Sequence, residues 1–251
     1  YLVTGEQQAL LIDTANGQEN LMEIVRELTE LPVTVVNTHG HIDHIFGNVF
    51  FKEAWMHPAD FKLHDEHVRL PEAEELKRRG LKPCRLMPLE DDQVFDLGGI
   101  DLEVIPVPGH TKGSVALLCR KHRILFTGDA VNGHLWMQLE ESCPMSVLKE
   151  SLEKLLNSYR AHFDRILTGH GKGPEDASVA DELLAGVSGL LRGECDHDHP
   201  YTWFMRKDMA HPFGRNNEHL IAYNCTNLLI ERGLREPYPA IRHIANNLGL
   251  D

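Results

Sequence analysis

Four apolar runs in this chain end in the same way. Val33-Thr34-Val35-Val36 runs into Asn37-Thr38-His39-Gly40-His41-Ile42-Asp43-His44, and Val104-Ile105-Pro106-Val107 reaches Pro108-Gly109-His110. Ile124-Leu125-Phe126-Thr127 reaches Gly128-Asp129, and Ile166-Leu167-Thr168 reaches Gly169-His170-Gly171. Each run has the β-branched and aromatic content of a strand, a glycine lets the backbone turn sharply, and the next side chain can bind a metal. Ligands and chemistry collect at the C-terminal ends of strands in α/β sheets. Strand, turn and ligand in that order are far more specific than any single histidine.

Two imidazoles at positions i and i+2 of an extended segment point to the same side. His39 and His41 can therefore chelate one ion, with Asp43 and His44 placed for a second. Imidazole and carboxylate together suit zinc, or a similar first-row ion such as iron or manganese, better than calcium or magnesium, which take oxygen ligands. Four residues cannot complete two coordination spheres, so His110, Asp129 and His170 are candidates for the remainder. No Ser-His-Asp or Cys-His grouping with a nucleophile turn is present, which leaves water as the nucleophile.

The rest of the chain reads as layers. Tyr1–Thr4 and Ala9–Ile12 form a hairpin pattern around Gly5, and Glu19–Leu31 has apolar residues at helical spacing. Strands are expected at Val33–Asn37 and Val49–Met56, and short helices at Pro58–His67 and Pro71–Gly80. A meander follows through Cys84–Met87, Gln93–Asp96, Ile100–Val107, Ser114–Cys119 and Arg123–Thr127. Pro144–Tyr159 is a second amphipathic helix, with Ser142 as a candidate cap and Pro144 in its first turn. A strand at Phe163–Thr168 and a helix at Glu175–Leu191 come next. Beyond Gly193 a loop or lid is expected over residues 194–217, then a strand near Leu220–Asn224 and a helix near Thr226–Arg232. Runs of strands without intervening helices favour two sheets packed face to face with helices outside over a doubly wound sheet.

The series His39-x-His41-x-Asp43-His44, His110, Asp129 and His170 resembles the metallo-β-lactamase superfamily, in its chain order, over roughly residues 1–170. The resemblance implies an α/β (α+β) fold, a four-layer αββα sandwich of two mixed β-sheets with outer helices, here one domain over residues 1–251. It assigns His39, His41 and His110 to one metal, Asp43, His44 and His170 to a second, and Asp129 to a bridge between them. The implied cofactor is two Zn²⁺ per chain, and the implied chemistry is attack of hydroxide on a carbonyl, with Asp43 also aiming the nucleophile. The group most resembled is that of glyoxalase II: binuclear zinc hydrolases of a small thioester, ester or lactone. A mononuclear iron enzyme like the persulfide dioxygenases and a β-lactam hydrolase are the alternatives. Where the family has Asp-Thr-Gly, this chain has Asp13-Thr14-Ala15, which bears on a turn rather than on the ligands.

Composition narrows the partners. Lys and Arg number 25 against 38 Asp and Glu, a net charge of −13, which opposes nucleic acid or an anionic membrane as partner and with them the basic nuclease branch of the family. A small-molecule substrate remains, with a homodimer as a common assembly of such hydrolases. Five scattered cysteines suggest a reducing, cytoplasmic setting; the chain begins at Tyr1, so its N-terminus reads as incomplete and a removed signal stays open. Only five of the 16 histidines belong to the ligand series. His134 and Trp136 follow Asp129 on a segment that should pass the metals, and with His199 they are candidates for the substrate pocket. His57, His64 and His67 read as structural or surface residues. The run Asp196-His197-Asp198-His199 reads as an exposed loop, with a pocket or third-ion role as its other reading.

Overall fold

The computed structural model describes residues 1–69, 74, 78–203 and 206–233. The first sheet holds β1 (Leu2–Thr4), β2 (Ala9–Ile12), β3 (Val33–Val36), β4 (Glu53–Met56) and β5 (Arg85–Pro88) in that order, with β1 antiparallel and the others parallel. The second is built from β6 (Val94–Asp96), β7 (Asp101–Pro106), β8 (Val115–Cys119), β9 (Ile124–Gly128), β11 (Arg165–Thr168) and β12 (Glu175–Asp176), in the order β12-β11-β9-β8-β7-β6. Of the expected meander, β6 to β9 form the antiparallel run, whereas its first strand, Cys84–Met87, falls at β5 of the first sheet, parallel to β4.

Alternation along the strands sorts the core into layers, because successive side chains point to opposite faces. Leu10, Ile12 and Val36 meet Leu102, Val104, Val115, Leu117 and Phe126 between the two sheets. The opposite face of the second sheet, with Ile105, Ala116, Leu118, Leu125 and Ile166, packs on helices α4 (Met145–Tyr159) and α5 (Ser178–Arg192) through Leu148, Leu152, Leu183 and Val187. On the outside of the first sheet, Leu11 and Val35 meet Val25 of α1 (Leu21–Leu28). Helix, sheet, sheet, helix is the αββα order. A strand such as β8, buried on both faces, carries no polar alternation.

A third sheet was not foreseen. β10 (His134–Met137) pairs in parallel with β15 (His219–Tyr223), and β14 (Arg206–Phe213) and β13 (His199–Trp203) continue it antiparallel. Met209, Phe213, Ile221 and Tyr223 bury themselves in the same core as α4 and α5. Residues 194–217 are thus largely strand rather than a loop or lid. Asp198, within the supposed exposed run, is buried: its two carboxylate oxygens accept from His211 Nδ1 at 2.7 Å and from the Tyr223 hydroxyl at 2.5 Å. Those bonds cross from β14 and β15, partners that local sequence does not reveal.

Smaller departures have local causes. Only Glu53–Met56 of the expected Val49–Met56 strand is extended; Phe46–Phe50 is a 3₁₀ turn, held by Asn48, which bonds Asn37 and Thr14. Ser142 does not cap α4. Its hydroxyl donates to the His110 carbonyl at 3.1 Å, and Pro144 takes the cap position. The orphan N–H groups of Met145 and Ser146 go instead to the Glu231 carboxylate of α6 (Cys225–Glu231), at 2.7 and 2.9 Å. Glu175-Asp176 forms β12, so the expected helix begins later, at Ser178. The Pro71–Gly80 helix falls largely outside the described residues. The closing strand and helix lie close to their expected places.

Candidate metal centre

Strand ends from both central sheets converge at one edge of the sandwich. His39 lies just past β3, His41 caps the one-turn helix α2 (Ile42–Ile45), and Asp43 and His44 stand on it. His110 follows β7, Asp129 follows β9, and His170 follows β11. Gly128 takes a left-handed φ of 50° that places Asp129, and a Cβ on Gly169 would collide with the Asp129 carboxylate and the His44 ring. Asp60, buried, ties two of the loops together: its carboxylate accepts from Gly40 N at 2.9 Å, Thr111 Oγ1 at 2.7 Å and Gly113 N at 2.7 Å.

Three ring nitrogens face one another, His39 Nε2 and His110 Nε2 lying 3.0 and 2.9 Å from His41 Nδ1. The opposite nitrogen of each ring is committed as a donor. His39 Nδ1 meets Thr38 Oγ1, whose own proton goes to Asp13 Oδ2; His110 Nδ1 meets the Trp136 carbonyl at 2.7 Å; His41 Nε2 meets Glu141 Oε1 at 2.7 Å. Three lone pairs with no proton to place between them fit a cation and little else. Burial, reinforced by the neighbouring imidazoles, holds His39 well below the usual histidine range and brings His110 down to about 4, so both stay neutral donors. Burial opposes ionisation of Glu141, but its bond to His41 prevails and brings it to about 2.

The second group is built differently. His170 Nε2 lies 3.0 Å from Asp43 Oδ2 and 3.2 Å from Asp129 Oδ2, and Asp129 Oδ2 is also 3.6 Å from His44 Nε2 and 3.8 Å from His110 Nε2. Asp129 therefore touches both groups. Burial would lower His44, but Asp13, at 2.9 Å from Nδ1, and Asp129 outweigh it and hold the ring well above its usual range. Hydrogen bonds donated by His170 to Asp129 and Asp43 raise its pKa to about 10. Burial would raise Asp129, yet His170 and His44 hold it well below the usual carboxylate range. His44 Nε2 and Asp129 Oδ1 are buried without a hydrogen-bond partner, the state expected of groups shaped for an ion. His39, His41 and His110, and separately Asp43, His44 and His170, each bring three ligand atoms within 4.8 Å of one another.

A cavity of about 610 Å³ opens over these residues. His134 and Trp136 line it, as the sequence suggests, and Trp203, Glu175, Glu141 and His67 do so unforeseen. His199 does not: it is exposed on β13, opposite Ala210 and away from the cavity. His67 was read as surface, but its Nδ1 bonds the Gly40 carbonyl at 3.0 Å and its ring packs on His41. Asp13 was legible, since Ala9–Ile12 is another apolar run that ends on a possible ligand. Trp203 and Glu141 carry no such signal.

This fold and this cluster define a metal-dependent enzyme with its centre at the sandwich edge. Residues 1–170 match the family model described as the metallo-beta-lactamase superfamily, and the chain belongs to that family, a class of metallo-hydrolases. It is 30% identical over 200 residues to the acyl-coenzyme A thioesterase MBLAC2 of Gallus gallus, covering 68% of this chain and 71% of that one. It is 32% identical over 148 residues to a hydroxyacylglutathione hydrolase of Mesorhizobium japonicum, covering 59% and 52%. Among solved structures it is similar to TTHA1623 in a di-iron-bound form, with a TM-score of 0.56 and 26% identity over 72% of this chain and 90% of that one. A metallo-beta-lactamase from Pontibacter korlensis shares the fold, with a TM-score of 0.58 and 22% identity over 74% and 85%. The fold family implies a metal. No helix among the described residues is long and apolar enough to cross a membrane.

Proposed function

We propose that the protein is a binuclear zinc hydrolase of a small thioester, ester or lactone. His39, His41 and His110 would hold one ion, Asp43, His44 and His170 the other, with Asp129 shared. The observation that carries this reading is the pair of trios joined by Asp129 Oδ2, with His44 Nε2 and Asp129 Oδ1 buried and unpartnered. The named thioesterase and hydroxyacylglutathione hydrolase relatives support the substrate class. The five free thiols agree with a reducing, cytoplasmic setting.

When bound, such ions make water acidic near neutral pH and polarise a carbonyl. The protein's own groups do the positioning. Thr38, Glu141 and the Trp136 carbonyl fix three imidazoles so that their lone pairs converge. Asp43, at the cavity wall, accepts a hydrogen bond from the attacking water and aims it at the carbonyl carbon. The cavity walls hold the acyl group beside that point.

Metal analysis of protein purified without added metal, followed by turnover on an acyl-glutathione, an acyl-homoserine lactone, aryl esters and a chromogenic β-lactam, tests the reading. Two zinc ions per chain and hydrolysis of a thioester, ester or lactone are expected. One iron with oxygen uptake, turnover of the β-lactam alone, or hydrolysis of nothing in the panel overturns it.

A further inference from the structure

One wall of the cavity comes from the third sheet. Trp136 of β10 and Trp203 of β13 pack edge to face, ring centroids 4.7 Å apart, and both line the cavity. Tyr201, which does not itself line it, receives the Trp136 Nε1 proton at 3.0 Å and bonds His134 Nε2 at 2.9 Å. The polar edge of Trp136 is thus already satisfied, and the ring offers the cavity its hydrocarbon face. Burial lowers the pKa of His134, so its imidazole stays neutral and is no anchor for an anion. Glu175, on β12, faces the same space, and its carboxyl accepts from Gly133 N at 3.2 Å. Among the described lining residues there is no Lys or Arg. Trp136 lies within the residues that match the family model and Trp203 beyond them, so the tail completes this wall.

We propose that the portion of the substrate held beyond the metal centre is an uncharged apolar group seated against Trp136 and Trp203, and that an anionic group at that position is refused. The proposal rests on the hydrolase reading above and names its substrate class. Apolar burial against two indole rings favours such a group, while Glu175, the lining carboxyl that neither belongs to the ligand set nor bonds one of its rings, repels a carboxylate brought beside it.

A matched pair of thioesters tests it on the zinc-loaded protein: S-ethyl phenylthioacetate and its 4-carboxyphenyl analogue, with released ethanethiol as the readout. The neutral thioester is expected to show at least about tenfold higher kcat/KM. Trp203→Ala is expected to remove most of that advantage through KM, leaving the anionic thioester unchanged, and Glu175→Gln to narrow the gap by improving the anionic one. Equal or better turnover of the anionic thioester, or an equal loss of both in Trp203→Ala, overturns the proposal. If the protein hydrolyses neither thioester, the substrate panel above decides the hydrolase reading separately. Tryptophan fluorescence titration with phenylacetamide and 4-carboxyphenylacetamide then decides the pocket: tighter, Trp203-dependent binding of the neutral amide supports it, and equal binding overturns it.

Discussion

The two halves of the metal centre solve one problem in opposite ways. The His39, His41 and His110 trio is buried, at 1%, 8% and 1% exposure, and it is made only of imidazoles, of which burial keeps His39 and His110 neutral. The Asp43, His44 and His170 trio reaches the cavity, with the Asp43 and His170 side chains 44% and 63% exposed. It includes a carboxylate, which solvent can stabilise. A buried site can afford few formal charges, so neutral donors hold the interior position and the charged ones face water. His44 and Asp129 are the exceptions, both largely buried, His44 held in its charged form by Asp13 and Asp129 and Asp129 by His170 and His44.

The sharpest test of that pairing removes a ligand of the buried half and the carboxylate that the two halves share. His110→Ala and Asp129→Ala are each expected to cut kcat/KM by at least about a thousandfold, the equivalent of several kcal/mol of transition-state stabilisation, in steady-state assays. If the halves differ as described, His170→Ala should retain one ion per chain by metal analysis while His39→Ala disturbs both, and limited chelator should remove one equivalent from the parent protein before the other. Simultaneous release would break the comparison.

Asp60→Ala probes the scaffold beneath the buried half. It leaves Gly40 N, the Thr111 hydroxyl and Gly113 N without their acceptor, at an expected cost of about 3 kcal/mol, measurable by denaturant unfolding. Glu141→Gln loosens one ring of the buried trio and should weaken metal affinity by about 10- to 100-fold in competition titrations. The smallest effect concerns the turn beside His44. Ala15 holds a φ of 57°, a conformation that costs a non-glycine residue about 1 kcal/mol, so Ala15→Gly should raise stability by up to that amount without altering metal content.

Much of this was legible because it is local. The strand-end ligands are set by short segments whose apolar content, glycine and polar terminus act within a few residues, and αββα layering follows from strands without interleaved helices. Asp13 obeys the same rule and could have been read from it. What escaped was non-local. Glu231 caps a helix more than eighty residues away, and Asp198 is buried only because β14 and β15 bring His211 and Tyr223 to it. Pro200 and the polar residues near it masked the strands of the tail, whose pairing with β10 supplies the apolar partner they lack alone.

Neighbouring residues alone set the candidate ligands, their order and the layers that carry them, since periodicity and turn chemistry are properties of adjacent residues. Only the tertiary structure decided which nitrogen of each imidazole faces the centre, because that choice is made by Thr38, Glu141 and the Trp136 carbonyl. It likewise decided that Trp203, and not His199, walls the cavity. The two stand four residues apart on one face of β13, so position along the strand separates them, and only the packing of β13 in the third sheet brings Trp203 against Trp136.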